Sequence, residues 1–169
     1  MKAMVLAAGL GTRLRPLTNT RPKALVEVGG RTLLDITLSR LASFGIRDVI
    51  VNVHHFADLI VDYLRANSGF GLRVEISRED ILLDTGGGLK KAAWFFGDSP
   101  EPFVLHNVDV LTNIDLAQML QSHISSGALA TLAVMQRETS RYLLFDESAD
   151  LCGRRRRDQT ELVRQSPNP

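Results

Sequence analysis

The chain has 169 residues, 44% hydrophobic and 23% charged, a balance that excludes an intrinsically disordered chain and supplies apolar surface for one core. No apolar run reaches the ~20 residues that a membrane-spanning helix needs, and the single cysteine, Cys152, excludes an internal disulfide framework and a cysteine-based zinc cluster. Net charge is +1, unevenly held: five arginines against Asp158 and Glu161 give residues 153–169 a charge of +3, and the other fifteen basic and seventeen acidic residues give −2, so the body lacks the basic character of a nucleic-acid binder.

The opening, MKAMVLAAGLGTRL, places one Lys before a short apolar run that passes into a glycine-rich polar stretch. A secretion leader would need a longer apolar region and a small-residue cleavage site, so with the lone cysteine the opening predicts a cytoplasmic protein. Residues 3–8 read as a buried strand ending at glycines. Residues 32–44 carry Leu34, Leu38 and Leu41 at helical spacing, with Thr32 and Asp35 as a capping box and Gly45 as the stop. A second buried strand follows at 49–53, a helix at 56–67, and a strand at 72–77 in which Leu72, Val74 and Ile76 alternate with polar residues. A short helix is expected over 89–96 after three glycines, then a buried strand at 103–108, a helix at 116–125, a strand at 129–135 and a sheet-edge strand at 142–145.

This alternation predicts an α/β fold, a Rossmann-like three-layer sandwich with a mostly parallel central sheet. Residues 1–152 are expected to form the domain and 153–169 a flexible basic tail. Ligands of such folds bind at the carboxyl ends of the strands, which directs attention to the loops after Ala8, around Gly86 and after Val108.

The first of these, AAGLGTRLRPLTNTRPKAL, joins Gly9 and Gly11 to Arg13, Arg15, Arg21 and Lys23, with Pro16 and Pro22 stiffening the path. Glycine lets backbone amides approach an anion closely, so a polyphosphate suits the loop; a plain turn with solvated basic residues is the competing reading. Neither the Walker A spacing nor the dinucleotide fingerprint is present. Gly86-Gly87-Gly88 could likewise be only a flexible turn before a helix. His54 and His55 are adjacent on a strand and so point to opposite faces, which favours structural roles over a shared metal ion. His106 is expected inside its strand, Trp94, Phe95 and Phe96 against the core, and Asp115 as a helix cap.

The stretch GLGTRLRPLTNTRPKAL resembles the signature loop of the sugar-1-phosphate nucleotidyltransferases, and LLDTGGGLKKA (82–92) and HNVDVL (106–111) extend the resemblance in family order. The triple-glycine form is similar to the short mannose-1-phosphate guanylyltransferase-like and N-acetylmuramate-1-phosphate uridylyltransferase-like members. The resemblance implies the nucleotide-diphospho-sugar transferase type of fold and the transfer of a nucleotidyl group from a nucleoside triphosphate to a sugar 1-phosphate. It implies that the backbone around Ala8, Gly9 and Gly11 holds the nucleotide, that Thr12 and Arg13 reach its phosphates, and that Lys23 lies beside the α-phosphate. Asp84, Gly86 and Gly87 would line the base pocket, and Asp109 would hold Mg2+. Val108 stands where the family commonly has glycine.

Family members continue beyond the point that corresponds to residue 169, so the resemblance implies a chain shortened at its C-terminal side, without a second magnesium-binding aspartate and much of the sugar pocket. A nucleotide-binding module without turnover is the alternative this leaves open. A shortened sheet exposes an edge strand, which favours homo-oligomers. Arg154–Arg157 reads as a solvated run in the tail rather than a nucleic-acid site.

Overall fold

The computed structural model describes residues 1–97, 99–156 and 159–162. The chain divides into two compact units, Met1–Ala128 and a second from Leu129 onward.

In the first unit, β1 (Lys2–Leu6) is followed by β2 (Glu27–Val28) and β3 (Arg31–Thr32), a small antiparallel hairpin. Its turn is Gly29-Gly30, both at positive φ, which only glycine adopts without strain. Next come α1 (Leu33–Ser43), β4 (Asp48–Val53), α2 (Ala57–Ala66), β5 (Arg73–Arg78), α3 (Asp84–Lys91), α4 (Ala93–Phe96), β6 (Val104–Asn107) and α5 (Leu116–Ser126). The strands β5-β4-β1-β6 form one parallel sheet.

Two apolar clusters show why the sheet is covered on both faces. Ala3 and Val5 of β1 join Val49, Val51 and Val53 of β4 in a core with Leu34, Leu38 and Leu41 of α1, Ile60 and Leu64 of α2 and Leu116 of α5. Met4 and Ile50, which alternate with those residues, meet Ala92 and the partly buried Leu6, Leu89, Phe95 and Phe96 on the other face. Each fully buried Leu or Ile contributes roughly 1.5–3 kcal/mol. The result is the expected three-layer α/β sandwich. Helix ends follow local chemistry: the Thr32 hydroxyl accepts from Asp35 N at 3.1 Å, and Asp115 Oδ1 accepts from Ala117 N and Gln118 N at 2.9 and 3.0 Å.

The order of the strands positions the site. The chain moves outward from β1 to β4 and β5, then returns to the opposite flank of β1 for β6. A crevice therefore opens between the loops leaving β1 and β6, where folds of this kind bind ligands.

Several expectations need correction. The single helix expected at 89–96 is two: α3 begins at Asp84, takes in all three glycines and ends at Lys91, and α4 covers Ala93–Phe96. Close tertiary contact at Gly88 overrides glycine's poor helix propensity. Trp94 is 61% exposed rather than closed onto the core, although Phe95 and Phe96 do pack there. Residues 129–135 form no strand, and Leu129 is fully exposed.

In the second unit, β7 (Arg141–Phe145) belongs to a separate antiparallel sheet with β8 (Leu151–Arg156) and β9 (Gln159–Leu162), not to the edge of the parallel sheet. The stretch expected as a tail thus enters a strand through Arg156, and Arg155 lies over the Tyr142 ring, 5.1 Å from its centroid. Arg157 lies outside the described residues. No helix among the described residues is long and apolar enough to cross a membrane.

Candidate active site

The crevice between the β1 and β6 loops is a cleft of about 370 Å³. Leu6, Ala7, Ala8 and Gly9 form its β1 side, with Arg13 and Lys23 from the following loop. Asn107, Val108 and Asp109 close the β6 side, and Asn52, Glu79, Leu82, Asp84 and Thr85 come from the ends of β4 and β5 and the start of α3. Six residues singled out in the sequence therefore share one cavity: Ala8, Gly9, Arg13, Lys23, Asp84 and Asp109. Gly11, Thr12, Gly86 and Gly87 lie outside its lining.

Gly11 shapes the loop. It sits at φ +68°, its carbonyl accepts from the buried Thr18 hydroxyl at 2.9 Å, and it precedes a 3-10 turn at Thr12–Leu14 that carries Arg13. Lys23 opens a second 3-10 turn, Lys23–Leu25, whose Ala24 is buried. Its ammonium pairs with the Asp109 carboxylate across 86 residues of sequence. Lys23 is 18% exposed and Asp109 37%, so both charges border the open cleft rather than the core. Asp84 adopts φ +56°, an uncommon conformation for a residue with a Cβ, at the first position of α3.

Sequence reasoning missed Asn52, Glu79 and Asn107 as cleft residues. Asn52 had a signal: it is the one polar residue in the apolar run of β4. The histidines take structural places. His54 Nδ1 lies 2.8 Å from the Glu79 carbonyl oxygen, and the His55 ring packs 4.1 Å from Phe56. Among the described residues no three His, Cys, Asp or Glu side chains cluster as a complete metal cage.

His106 is buried in β6 behind Asp109, with Nδ1 2.7 Å from the Asn107 carbonyl oxygen. Burial pushes its pKa below the ordinary 6.5, and Arg40 adds to this, against the raising effects of the Asn107 carbonyl and Asp109. The unfolded chain therefore takes up a proton first as pH falls through about 6.5, so stability drops there and levels off below the depressed folded value. Asp35 and Asp48, held low by hydrogen bonds from Arg31 and Arg73, act only in a separate window below their ordinary 3.8. Melting temperature should fall as pH drops from neutral through about 6.5, and His106→Asn should flatten that slope. An unchanged slope in the variant would assign the effect elsewhere.

A parallel sheet with a charged cleft at the reversal of its strand order defines an α/β protein of the doubly wound kind, its cleft at the position where such folds bind ligands. The chain belongs to the Nucleotidyl transferase family, whose model matches residues 2–143 and so takes in all three loops. It is 55% identical over 101 residues to the N-acetylmuramate alpha-1-phosphate uridylyltransferase of Caulobacter vibrioides, covering 58% of this chain and 42% of that protein. The protein of the same name from Neisseria meningitidis is 40% identical over 133 residues, covering 75% and 57%. The mannose-1-phosphate guanyltransferase of Aspergillus fumigatus is 36% identical over 144 residues, covering 84% and 40%. The chain thus spans only 40 to 57% of the length of these relatives. Among solved structures, HddC from Yersinia pseudotuberculosis complexed with GMP-PN shares the fold at a TM-score of 0.71 and 20% identity, covering 94% of this chain and 70% of that one. UDP-glucose pyrophosphorylase from Acinetobacter baumanii gives a TM-score of 0.64 at 25% identity, covering 75% and 53%.

Proposed function

We propose that this chain carries the nucleotide-binding and reacting part of a sugar-1-phosphate nucleotidyltransferase, which joins a nucleoside triphosphate and a sugar 1-phosphate into an NDP-sugar and pyrophosphate. The observation that carries the reading is the gathering of Gly9, Arg13, Lys23, Asp84 and Asp109 around one cleft in a chain of this family. The names of the relatives, uridylyltransferase and guanyltransferase, support a nucleotidyl donor.

In the reaction, a phosphate oxygen of the sugar 1-phosphate attacks the α-phosphorus, the bond from that phosphorus to the bridging oxygen breaks, and the electron pair leaves with pyrophosphate. A phosphomonoester has a second pKa of about 6, so the nucleophile is already mostly dianionic at neutral pH and needs no general base. The obstacle is charge, since two anions must meet and a third must depart. Arg13 and Lys23 supply fixed positive charge, and amides beside Gly9 can approach the phosphates without hindrance: no atom lies within 4 Å of where its Cβ would be.

Magnesium fits the donors present. It usually takes one or two carboxylates together with substrate phosphate oxygens, and Asp109 offers a partly exposed carboxylate at the cleft. The ion would neutralise charge on the triphosphate, with Asp109 as its protein ligand. The lone cysteine supports a reducing, cytoplasmic setting for the reaction.

Pyrophosphate release by the purified chain, given UTP or GTP, magnesium and a panel of sugar 1-phosphates, tests the reading. A signal dependent on both substrates is expected. Saturable nucleotide binding with no pyrophosphate would instead mark a binding module without turnover.

A further inference from the structure

We infer that Asn52 and Glu79 are a positioning pair that sets the distance between the two walls of the cleft, and through it the affinity for the triphosphate; the second clause rests on the proposed function. Neither side chain has a part in the chemistry above. Asn52 is 2% exposed and Glu79 5%, yet both border the cleft.

Their hydrogen bonds form one directed relay. The amide N–H of Ala7, where β1 ends, donates to Asn52 Oδ1 at 2.7 Å. A backbone N–H can only donate, so it fixes which way the Asn52 amide faces. Asn52 Nδ2 then donates to Glu79 Oε1 at 2.7 Å, and Glu79 Oε2 accepts from the N–H of Leu83 at 3.0 Å, immediately before α3. Position 79 must therefore accept at both oxygens, as a carboxylate does and a carboxamide does not. The relay ties the backbone of the phosphate-facing loop to the foot of α3, the two sides between which a nucleotide would lie.

Gly88 shows independently how closely the helix is drawn onto this pair. A Cβ at that position would stand 2.7 Å from Glu79 Oε1 and 2.8 Å from Asn52 Nδ2, closer than real Cβ atoms come. Buried polar pairs with every partner satisfied hold one arrangement firmly, whereas a single mismatched donor leaves a buried group unpaired.

This pattern allows an exchange that separates positioning from general support. Glu79→Gln puts an amide donor against another donor, either Leu83 N–H or the Asn52 amide. Asn52→Asp sets two carboxylates against each other. Combined in one chain, the two substitutions restore the relay: the new carboxylate accepts from Ala7 N–H and from the new amide, whose oxygen accepts from Leu83 N–H.

The test measures calorimetric binding of UTP and of GTP with magnesium, KM and kcat for the triphosphate, and hydrogen exchange at the Ala7 and Leu83 amides. Each single variant should weaken binding by about tenfold or more, raise KM more than it lowers kcat, and speed exchange at both amides. The double variant should return binding to within about threefold of the original and restore protection of both amides. Single variants that bind as the original does, or a folded double variant that recovers neither binding nor protection, would overturn the inference. If a single variant does not fold, the double variant decides: folding with original affinity supports the pair, and folding with weakened affinity refutes it. If the original chain binds neither triphosphate, the functional reading falls, and the exchange of the two amides still decides whether the pair holds the walls.

Discussion

Lys23→Ala is expected to lower kcat/KM for nucleotidyl transfer by about a hundredfold or more, the size of effect seen when one charge-stabilising group is removed from a preorganised site. Lys23 stands in the same cleft as Arg13, on the segment after the Gly11 turn, and its ammonium already meets Asp109 from the opposite wall. The lost rate should not come from unfolding, because an ion pair this close to solvent contributes about 0–1 kcal/mol to stability. Melting curves of the variant should therefore overlay those of the original within a few degrees. Asp109→Ala should depress the rate as well and should also raise the magnesium concentration needed for half-maximal turnover. Rates within about threefold of the original in Lys23→Ala would remove the residue from the charge-stabilising role.

Gly11→Ala should cost about 2 kcal/mol of folding stability and disturb the cleft together with it. The residue is held at φ +68°, where an L side chain is strained by roughly 1–2 kcal/mol. Its Cβ would also lie 2.9 Å from Thr18 Cγ2 and 3.3 Å from Lys23 Cβ. Thr18 is buried and donates to the Gly11 carbonyl, so it has little room to yield, and a shift there carries Lys23 with it. Gly9→Ala is the matched control, since its Cβ would meet nothing within 4 Å and should leave the denaturation midpoint unchanged. Equal midpoints for the two variants would show that the left-handed turn is not what holds this loop.

The sequence disclosed those parts of the fold whose causes are local. The first helix could be read because its capping threonine, its leucine spacing and its terminal glycine all lie within fourteen residues. The strands β1 and β4 could be read because burial on both faces demands continuous apolar residues. What depended on a distant neighbour could not be read. Residues 129–135 have the composition of a strand but form none, since composition does not specify the ladder register that a strand needs. The triple glycine looks like a break in any helix until the Asn52 amide and Glu79 carboxylate beneath Gly88 are known. The Gly29-Gly30 turn of the β2–β3 hairpin, by contrast, has a purely local cause.

The site divides in the same way. Arg13, Lys23 and Asp109 stand out because charge beside glycine, or just past a buried strand, is conspicuous in the chain itself. Asn52 and Glu79 are separated by 27 residues and become neighbours only when β5 pairs with β4 in one register. Burial then turns two unremarkable polar residues into a matched pair.

The reversal of strand order has a kinetic corollary. Because β1 must acquire one neighbour from residues 48–53 and another from residues 104–107, no stretch of nascent chain ending before β6 can present an opposed lysine and aspartate. The cleft should take shape in one late step, when β6 docks against β1, and loop closure over about a hundred residues should set its pace.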